Sequence, residues 1–483
     1  MKDITVSKIN EVHARIAAEP GVMYELSDHM TFDVPNSQHH PKVKAGVWDG
    51  KIRLIDNYGR LYGGLVPNLA VLATDLGYTL DIDKAYLPNK IDEDEIVERI
   101  AQLNLPDFIE VEDFQYKAVF ETLRRRRLLV ISPTSSGKSL ITYMLTQLIG
   151  GRSLIIVPTV ILAKQLVKDM KDYGYAGDIH MIAEGGDKNS DAPITVSTWQ
   201  SIYKQPSKYF SQYDNMFADE VHRFEAKSCR EMTEKMPNTE YRIGLTGSLK
   251  GTKTHELMLT GIFGPKITTT TTRELIDRGF VSDISIVVIV FKHPPETQAL
   301  LKPRHTYREE DDLIIGNERR NRYIRNLVGT LKGNGLVLYR KIGKHGDLLL
   351  PILEELGRKV HYVNGTNKTK EAKNNIASAL ELAENDIGLT SSGVFATGVS
   401  INNIQWLLLS NAIKSQIDLL QSMGRVLRKD GKDNHTTMFD LADLFRRKGD
   451  TKNPNGYSYR HLQERLAIYA EQQLNYKVIE VQL

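Results

Sequence analysis

From about residue 107 to 280, short apolar runs alternate with stretches whose apolar residues recur every three or four positions. The runs are 128–131, 153–157, 179–182, 194–197, 215–219 and 242–246. They are apolar throughout rather than at every second position, which predicts strands buried on both faces. Their alternation with helical patterns predicts a largely parallel sheet covered by helices. A β-branched run at 284–291 and a helix predicted over about 318–331 open a second series. Its strands are 335–339, 360–363, 387–390, 406–409 and 437–440. Between run and helix, 294–312 is polar and reads as an irregular, mobile insertion. A closing helix at 459–474 and a strand at 476–481 complete the pattern.

Upstream the pattern changes. Residues 9–18 predict a short helix ended by Pro20-Gly21, and 30–80 predict short β-rich runs broken by turns. Asp49-Gly50, between Val47-Trp48 and 51–55, predicts a hairpin turn. The fold class is therefore α/β, with five parts. A small α+β domain covers 1–87, a linker with an acidic helix (92–103) covers 88–106, and one α/β unit covers 107–281. A second unit covers 282–454, and 455–483 packs on it.

Composition narrows this little. The 483 residues exceed one hydrophobic core, and 41% hydrophobic with 25% charged content is that of globular proteins. One cysteine, Cys229, excludes an internal disulfide framework and fits a reducing cytosol. No segment is apolar enough to predict a membrane span or a leader, so the expected location is cytoplasmic, the host cytoplasm if the source is viral. A net charge of +3 leaves any nucleic-acid surface local. One local candidate is His39, His40, Lys42, Lys44, Lys51, Arg53 and Arg60, interleaved with Trp48, Tyr58 and Tyr62. Basic and aromatic residues together can hold a backbone and stack on bases; a solvated basic face is the alternative.

Three clusters carry chemistry. Ser132-Pro133-Thr134-Ser135-Ser136-Gly137-Lys138-Ser139 follows a predicted strand and opens a helix. Such a loop turns backbone N–H groups toward a phosphate, with Lys138 reaching the β- and γ-phosphates and Ser139 suited to Mg²⁺. Ser132 stands where Gly or Ala is usual, and a chance Ser/Gly turn is the competing reading. Asp219-Glu220-Val221-His222 ends another strand. There Asp219 would hold Mg²⁺ and Glu220 would act as general base on the attacking water; a solvated acidic turn is the alternative. Gln421, Arg425 and Arg428, spaced by four and three, share one helical face, where arginines can stabilise a transferred γ-phosphoryl group. They lie in the second unit and the other two clusters in the first, so ATP between the units would complete the site on closure. No histidine spacing suggests a zinc site. Arg124–Arg127 end a helix, where cations meet the favourable dipole end, a structural rather than DNA-contacting role.

In their order and spacing these clusters resemble the superfamily-2 DExH helicases, and within them the UvsW helicases of T-even bacteriophages. The resemblance covers roughly residues 110–440. Phe114-Gln115 resembles the adenine-reading glutamine motif, and Pro158-Thr159 with Lys164-Gln165 resembles motif Ia. Ser197-Thr198-Trp199-Gln200 resembles the next strand-contacting motif, and Leu245-Thr246-Gly247-Ser248 resembles motif III. Val337–Arg340 resembles motif IV, Thr390–Ser400 motif V, and Gln421–Arg428 motif VI. Arg273–Phe280 and the Trp48-Asp49-Gly50-Lys51 segment point to the DNA repair and recombination branch.

The resemblance implies two tandem RecA-like motor domains and an ATP- and Mg²⁺-dependent motor. It implies action on single-stranded and branched DNA, including forks, Holliday junctions and RNA–DNA hybrids, alongside recombination or single-strand-binding proteins. His222, Thr246, Ser248 and Gly398 would couple hydrolysis to movement. Pro158, Thr159, Lys164, Gln165, Ser197, Thr198, Gln200, Arg340 and Thr390 would touch a strand, as would Trp48, Lys51 and Arg53. Lys341, Lys344 and His345 can meet the backbone or form a solvated loop. An RNA helicase, a duplex translocase and a non-catalytic ATP-gated binding module are the competing functions; intact Lys138, Asp219, Glu220, Arg425 and Arg428 argue against the last.

Overall fold

The computed structural model describes all residues except 1, 35–36, 183–185, 224–225, 248, 250–252, 282, 303–304, 342–343, 364–377, 393–402, 412–434 and 447–453, and the side chains of 226, 227 and 229. Contacts divide the chain into two units, Met1–Thr270 and Thr271–Leu483. The division falls before the expected boundary at 281 because the helix Thr272–Asp277 belongs to the second unit. There the Thr272 hydroxyl donates to Gln472 Oε1 at 2.9 Å, and Leu275 is buried.

The first unit opens with a four-stranded sheet, β1 (Ile4–Lys8), β2 (His13–Ala18), β5 (Arg60–Tyr62) and β6 (Leu80–Ile82), in the order β5-β2-β1-β6. β3 (Thr31–Asp33) and β4 (Lys51–Arg53) form a separate antiparallel ribbon. The helix expected at 9–18 is instead β2. Ala14 and Ile16 are buried while Arg15 and Ala17 face out, a period of two, and Pro20 starts the helix Pro20–His29 rather than ending one. Nor do Val47-Trp48 pair across Asp49-Gly50; β4 pairs with Thr31–Asp33, and the helix Val66–Asp75 stands where β-rich runs were expected.

Seven parallel strands follow in the order β13-β7-β12-β11-β8-β10-β9. They are β7 (Arg127–Ile131), β8 (Ser153–Val157), β9 (Ile179–Ile182), β10 (Ile194–Thr198), β11 (Asn215–Asp219), β12 (Tyr241–Thr246) and β13 (Lys266–Thr268). Alternate strand residues feed two cores: Leu128, Val130, Ile155 and Val157 on one face, Leu129, Leu154 and Ile156 on the other. That is why the runs are apolar without alternation. The segment expected to link domains joins this core. Asp92 caps the helix Glu93–Ala101, whose Ile96 and Ile100 are buried one turn apart, and the Arg99 guanidinium donates to Leu148 O at 2.7 Å.

The second unit repeats the plan with β14 (Asp283–Lys292), β15 (Gly335–Tyr339), β16 (Val360–Val363), β17 (Ile387–Ser391), β18 (Trp406–Leu409), β19 (His435–Leu444) and β20 (Tyr476–Gln482). All pair in parallel, in the order β16-β17-β15-β18-β19-β14-β20. The stretch 294–312 is not an irregular insertion: it runs into the helix Tyr307–Gly316, whose Glu310 is buried. That carboxylate accepts from Tyr457 N at 3.0 Å and Ser458 N at 2.7 Å, and lies 2.8 Å from His305 Nε2. A buried carboxylate needs such partners, and they hold it against the start of the helix Tyr457–Glu471. Among the described residues, no helix is long and apolar enough to cross a membrane.

Candidate nucleotide site and strand-contact residues

In the first unit the sheet order sets β7, β12 and β11 side by side, with Ile131 opposite Thr246 and Leu245 opposite Asp219. The loop 132–139, Thr246-Gly247 and Asp219-Glu220 therefore emerge at adjoining C-terminal strand ends, where parallel sheets gather ligand-binding residues. Ser135 and Gly137 have φ of 70° and 75°, in the left-handed region. A Cβ on Gly137 would stand 2.3 Å from Gln115 Nε2, so only glycine fits.

Resting contacts hold this loop. Lys138 Nζ donates to Ser132 O and Pro133 O at 3.2 and 3.3 Å and lies 3.8 Å from Glu220 Oε1. Gln115 is buried, its Oε1 accepting from Glu112 N and its Nε2 donating to Ser136 O, both at 3.0 Å. Its amide thus braces the loop. Ser132, the departure from the usual residue, is buried in a chain of hydroxyls: Thr269 Oγ1 donates to Ser132 Oγ (3.0 Å), Ser132 to Ser136 Oγ (2.6 Å), and Ser136 to Pro133 O (2.7 Å). Ser139 Oγ and the Tyr173 hydroxyl are 2.8 Å apart. Neither Thr269 nor Tyr173 belongs to a motif, so no pattern along the chain points to them.

The two carboxylates differ in environment. Burial and the neighbouring Glu220 charge push the Asp219 carboxyl above its ordinary value, against Lys138. Burial pushes Glu220 up as well, but Lys138, His222 and Arg223 outweigh it and hold the carboxylate below its ordinary value. Glu220 has φ of 51°, and its buried Oε2 has no hydrogen-bond partner. Burial lowers the His222 pKa to about 4, so the ring is neutral; its Nδ1 lies 2.6 Å from Thr246 Oγ1. The donor set fits Mg²⁺: oxygens only, an orphaned carboxylate oxygen beside them, and an Asp219 that a divalent cation would ionise.

The strand-contact candidates are divided. β8 and β10 pair with Val157 opposite Thr198, which brings Pro158-Thr159 and Thr198–Gln200 together. Lys164, Gln165 and Gln200 are exposed, and Pro158 is buried. Thr159 caps the helix Val160–Asp172 by accepting from Leu162 N at 3.3 Å. Ser197 is a correction: it is fully buried within β10, its hydroxyl donating to Thr198 O at 3.1 Å, so it supports the turn and cannot reach a strand. Thr198 is buried as a residue, and its Oγ1 lies 2.9 Å from Ser201 Oγ.

In the second unit β15 and β17 pair with Tyr339 opposite Ser391, which puts Arg340 near Thr390. Arg340 is exposed and stacks 4.9 Å over Tyr307, while Thr390 Oγ1 is buried without a hydrogen-bond partner. Lys341 is held by Asp311 and Asp312 at 3.1 and 2.7 Å. His345 is fully buried, which removes it from any backbone contact. Ser248, Gly398, Gln421, Arg425 and Arg428 lie outside the described residues.

In the N-terminal ribbon, Trp48 Nε1 donates to Lys51 O at 2.8 Å and its ring meets His40 edge-on at 5.4 Å. Lys51 and Arg53 are exposed, Arg53 pairing with Asp49 at 2.6 Å. The arginine run divides its work. Arg124 and Arg125 pair with Glu121, whereas Arg126 donates to Ala85 O and Leu87 O, and Arg127 to the carbonyl and carboxylate of Glu11. The last two fasten the N-terminal domain to the first parallel sheet.

Residues 3–83 match the family described as "DNA helicase UvsW, N-terminal", and residues 97–251 match "Type III restriction enzyme, res subunit". The ATP-dependent DNA helicase uvsW of Enterobacteria phage T4 is 34% identical over 505 aligned positions, spanning 100% of both chains. The chain belongs to the UvsW helicase family. The crystal structure of T4 UvsW covers 99% of each chain at 32% identity, with a TM-score of 0.53. A putative HsdR fragment of a type I restriction enzyme from Vibrio vulnificus, at 17% identity and a TM-score of 0.54 over 85% of this chain and 73% of its own, shares the fold. Both motor units of this UvsW-like helicase are RecA-like.

Proposed function

We propose that the chain is an ATP-driven motor that unwinds or migrates branched DNA: forks, four-way junctions and R-loops. The observation that carries this reading is the convergence of Lys138, Asp219-Glu220 and the His222–Thr246 contact at adjoining strand ends of one sheet. Lys138 leaves the Ser132 and Pro133 carbonyls to meet the β- and γ-phosphates. Glu220, held ionised, takes the proton of the attacking water. Ser139 and Asp219 would hold Mg²⁺, which would supply charge neutralisation on the phosphate oxygens. Arg425 and Arg428 stabilise the charge that develops on the γ-phosphoryl group, a role in which Gln421 shares.

His222 passes the state of Glu220 to Thr246. The exposed Lys164, Gln165 and Gln200 in the first unit and Arg340 in the second hold a strand by its phosphates without reading sequence, with backbone N–H groups beside Thr159 and the buried Thr198 and Thr390 as further donors. The N-terminal ribbon with Trp48, Lys51 and Arg53 grips a neighbouring arm of the branch. Recombination or single-strand-binding proteins would act with it. The test is a substrate panel (fork, four-way junction, R-loop, blunt DNA duplex, RNA duplex) assayed with ATP and Mg²⁺. Branched DNA is expected to be processed fastest. Faster unwinding of the RNA duplex, or movement along the blunt duplex alone, would overturn the reading.

A further inference from the structure

Tyr173 follows the helix Val160–Asp172 and is named by no motif, yet its hydroxyl lies 2.8 Å from Ser139 Oγ. Its ring is fixed in place, packing 5.6 Å from that of Tyr143, which sits one turn beyond Ser139 on the helix Lys138–Ile149. Two neighbouring helices are thus joined at the side chain expected to face the metal. A serine that gives an oxygen lone pair to a divalent cation must direct its own proton elsewhere, and a free hydroxyl rotor spends most of its time in other orientations.

We propose that Tyr173 is a positioning residue for metal binding: its hydroxyl accepts the Ser139 proton and turns the Ser139 lone pair toward Mg²⁺. The inference rests on the assignment of Ser139 as a metal ligand. The phenol oxygen is a neutral acceptor, so it orients the serine without competing for the cation as a carboxylate would. The helix Val160–Asp172 has Thr159, a strand-contact candidate, at its N-cap and Tyr173 at its C-cap, so one element joins the two functions.

The test measures ADP affinity by fluorescence with a labelled nucleotide, in EDTA and in Mg²⁺, for the full chain and for Tyr173→Phe, Ser139→Ala and the double variant. The ratio of the two affinities is the gain due to metal, and it is independent of turnover. Tyr173→Phe keeps the ring and is expected to leave affinity in EDTA unchanged while cutting the metal gain about three- to tenfold, the worth of one hydrogen bond. Ser139→Ala is expected to abolish the gain, and the double variant to add nothing further. If Ser139→Ala keeps the gain, the ligand assignment fails. If Ser139→Ala loses it but Tyr173→Phe keeps or exceeds the wild-type gain, the positioning role fails and Tyr173 only packs. Thermal unfolding of each variant excludes misfolding as the cause.

Discussion

His222 Nδ1 lies 2.6 Å from Thr246 Oγ1, joining the strand end that carries the carboxylates to the next strand of the sheet. The same Nδ1 is 3.3 Å from Glu220 Oε2. A change in what Glu220 holds is thus one atom away from a change in the motif III strand. Removing the threonine hydroxyl should leave nucleotide binding in place and cut the link onward. For Thr246→Val we expect ATP binding within about twofold of wild type, a stability loss of about 1 kcal/mol from the lost hydrogen bond, and fewer base pairs opened per ATP. Parallel ATPase and unwinding assays check it; equal loss of both activities would make the contact merely structural.

The loop's departure at Ser132 makes its own prediction. Its hydroxyl stands between Thr269 and Ser136, so Ser132→Ala breaks a buried chain although alanine suits the motif. The expected cost is about 1 kcal/mol in denaturant unfolding, with a higher KM for ATP. An unchanged midpoint would mean that the hydroxyls re-pair.

His345 gives a pH dependence in the second unit. Burial holds its pKa down at about 3, against an ordinary 6.5. The folded protein binds fewer protons than the unfolded chain between these values, so the stabilisation is full above pH 6.5 and is lost as pH falls toward 3. The slope for one such proton approaches about 1.4 kcal/mol per pH unit. His345→Leu should remove that part of the slope, so its stability relative to wild type should rise between pH 7 and pH 5. A constant difference across that range contradicts the burial argument.

Lys51 and Arg53 stand exposed on the β3–β4 ribbon, away from the Glu11, Ala85 and Leu87 contacts that fasten the domain. Lys51→Ala with Arg53→Ala should therefore weaken fork binding several-fold and lower its salt slope by up to about two, leaving basal ATPase unchanged. Fork binding at wild-type strength would show a solvated basic face.

The inner strands β8, β11 and β15 were legible to the residue because both faces of each are buried, so apolar runs end where the sheet ends, whereas β13, largely exposed at the edge of its sheet, carries no such run. The error at 9–18 has one cause. β2 is short, and with Ala at positions 14, 17 and 18 its period of two is hard to tell from a helical one. Glu310 reads as solvated in a polar stretch, and only the fold reveals the two N–H groups that its carboxylate accepts from. In the site, Lys138, Asp219, Glu220 and His222 were legible because phosphate and metal chemistry restricts residue type and spacing. Tyr173 and Thr269 were not, since a hydroxyl that orients another side chain can come from any neighbouring element.

Whether Glu220 is the base for water in an ATP-driven motor is tested most directly by Glu220→Gln. The amide keeps the shape and removes the proton acceptor. Measured side by side, Mg²⁺-ATP binding should persist while DNA-stimulated hydrolysis falls by about 10²-fold or more. Hydrolysis near the wild-type rate, with binding intact, would contradict the account.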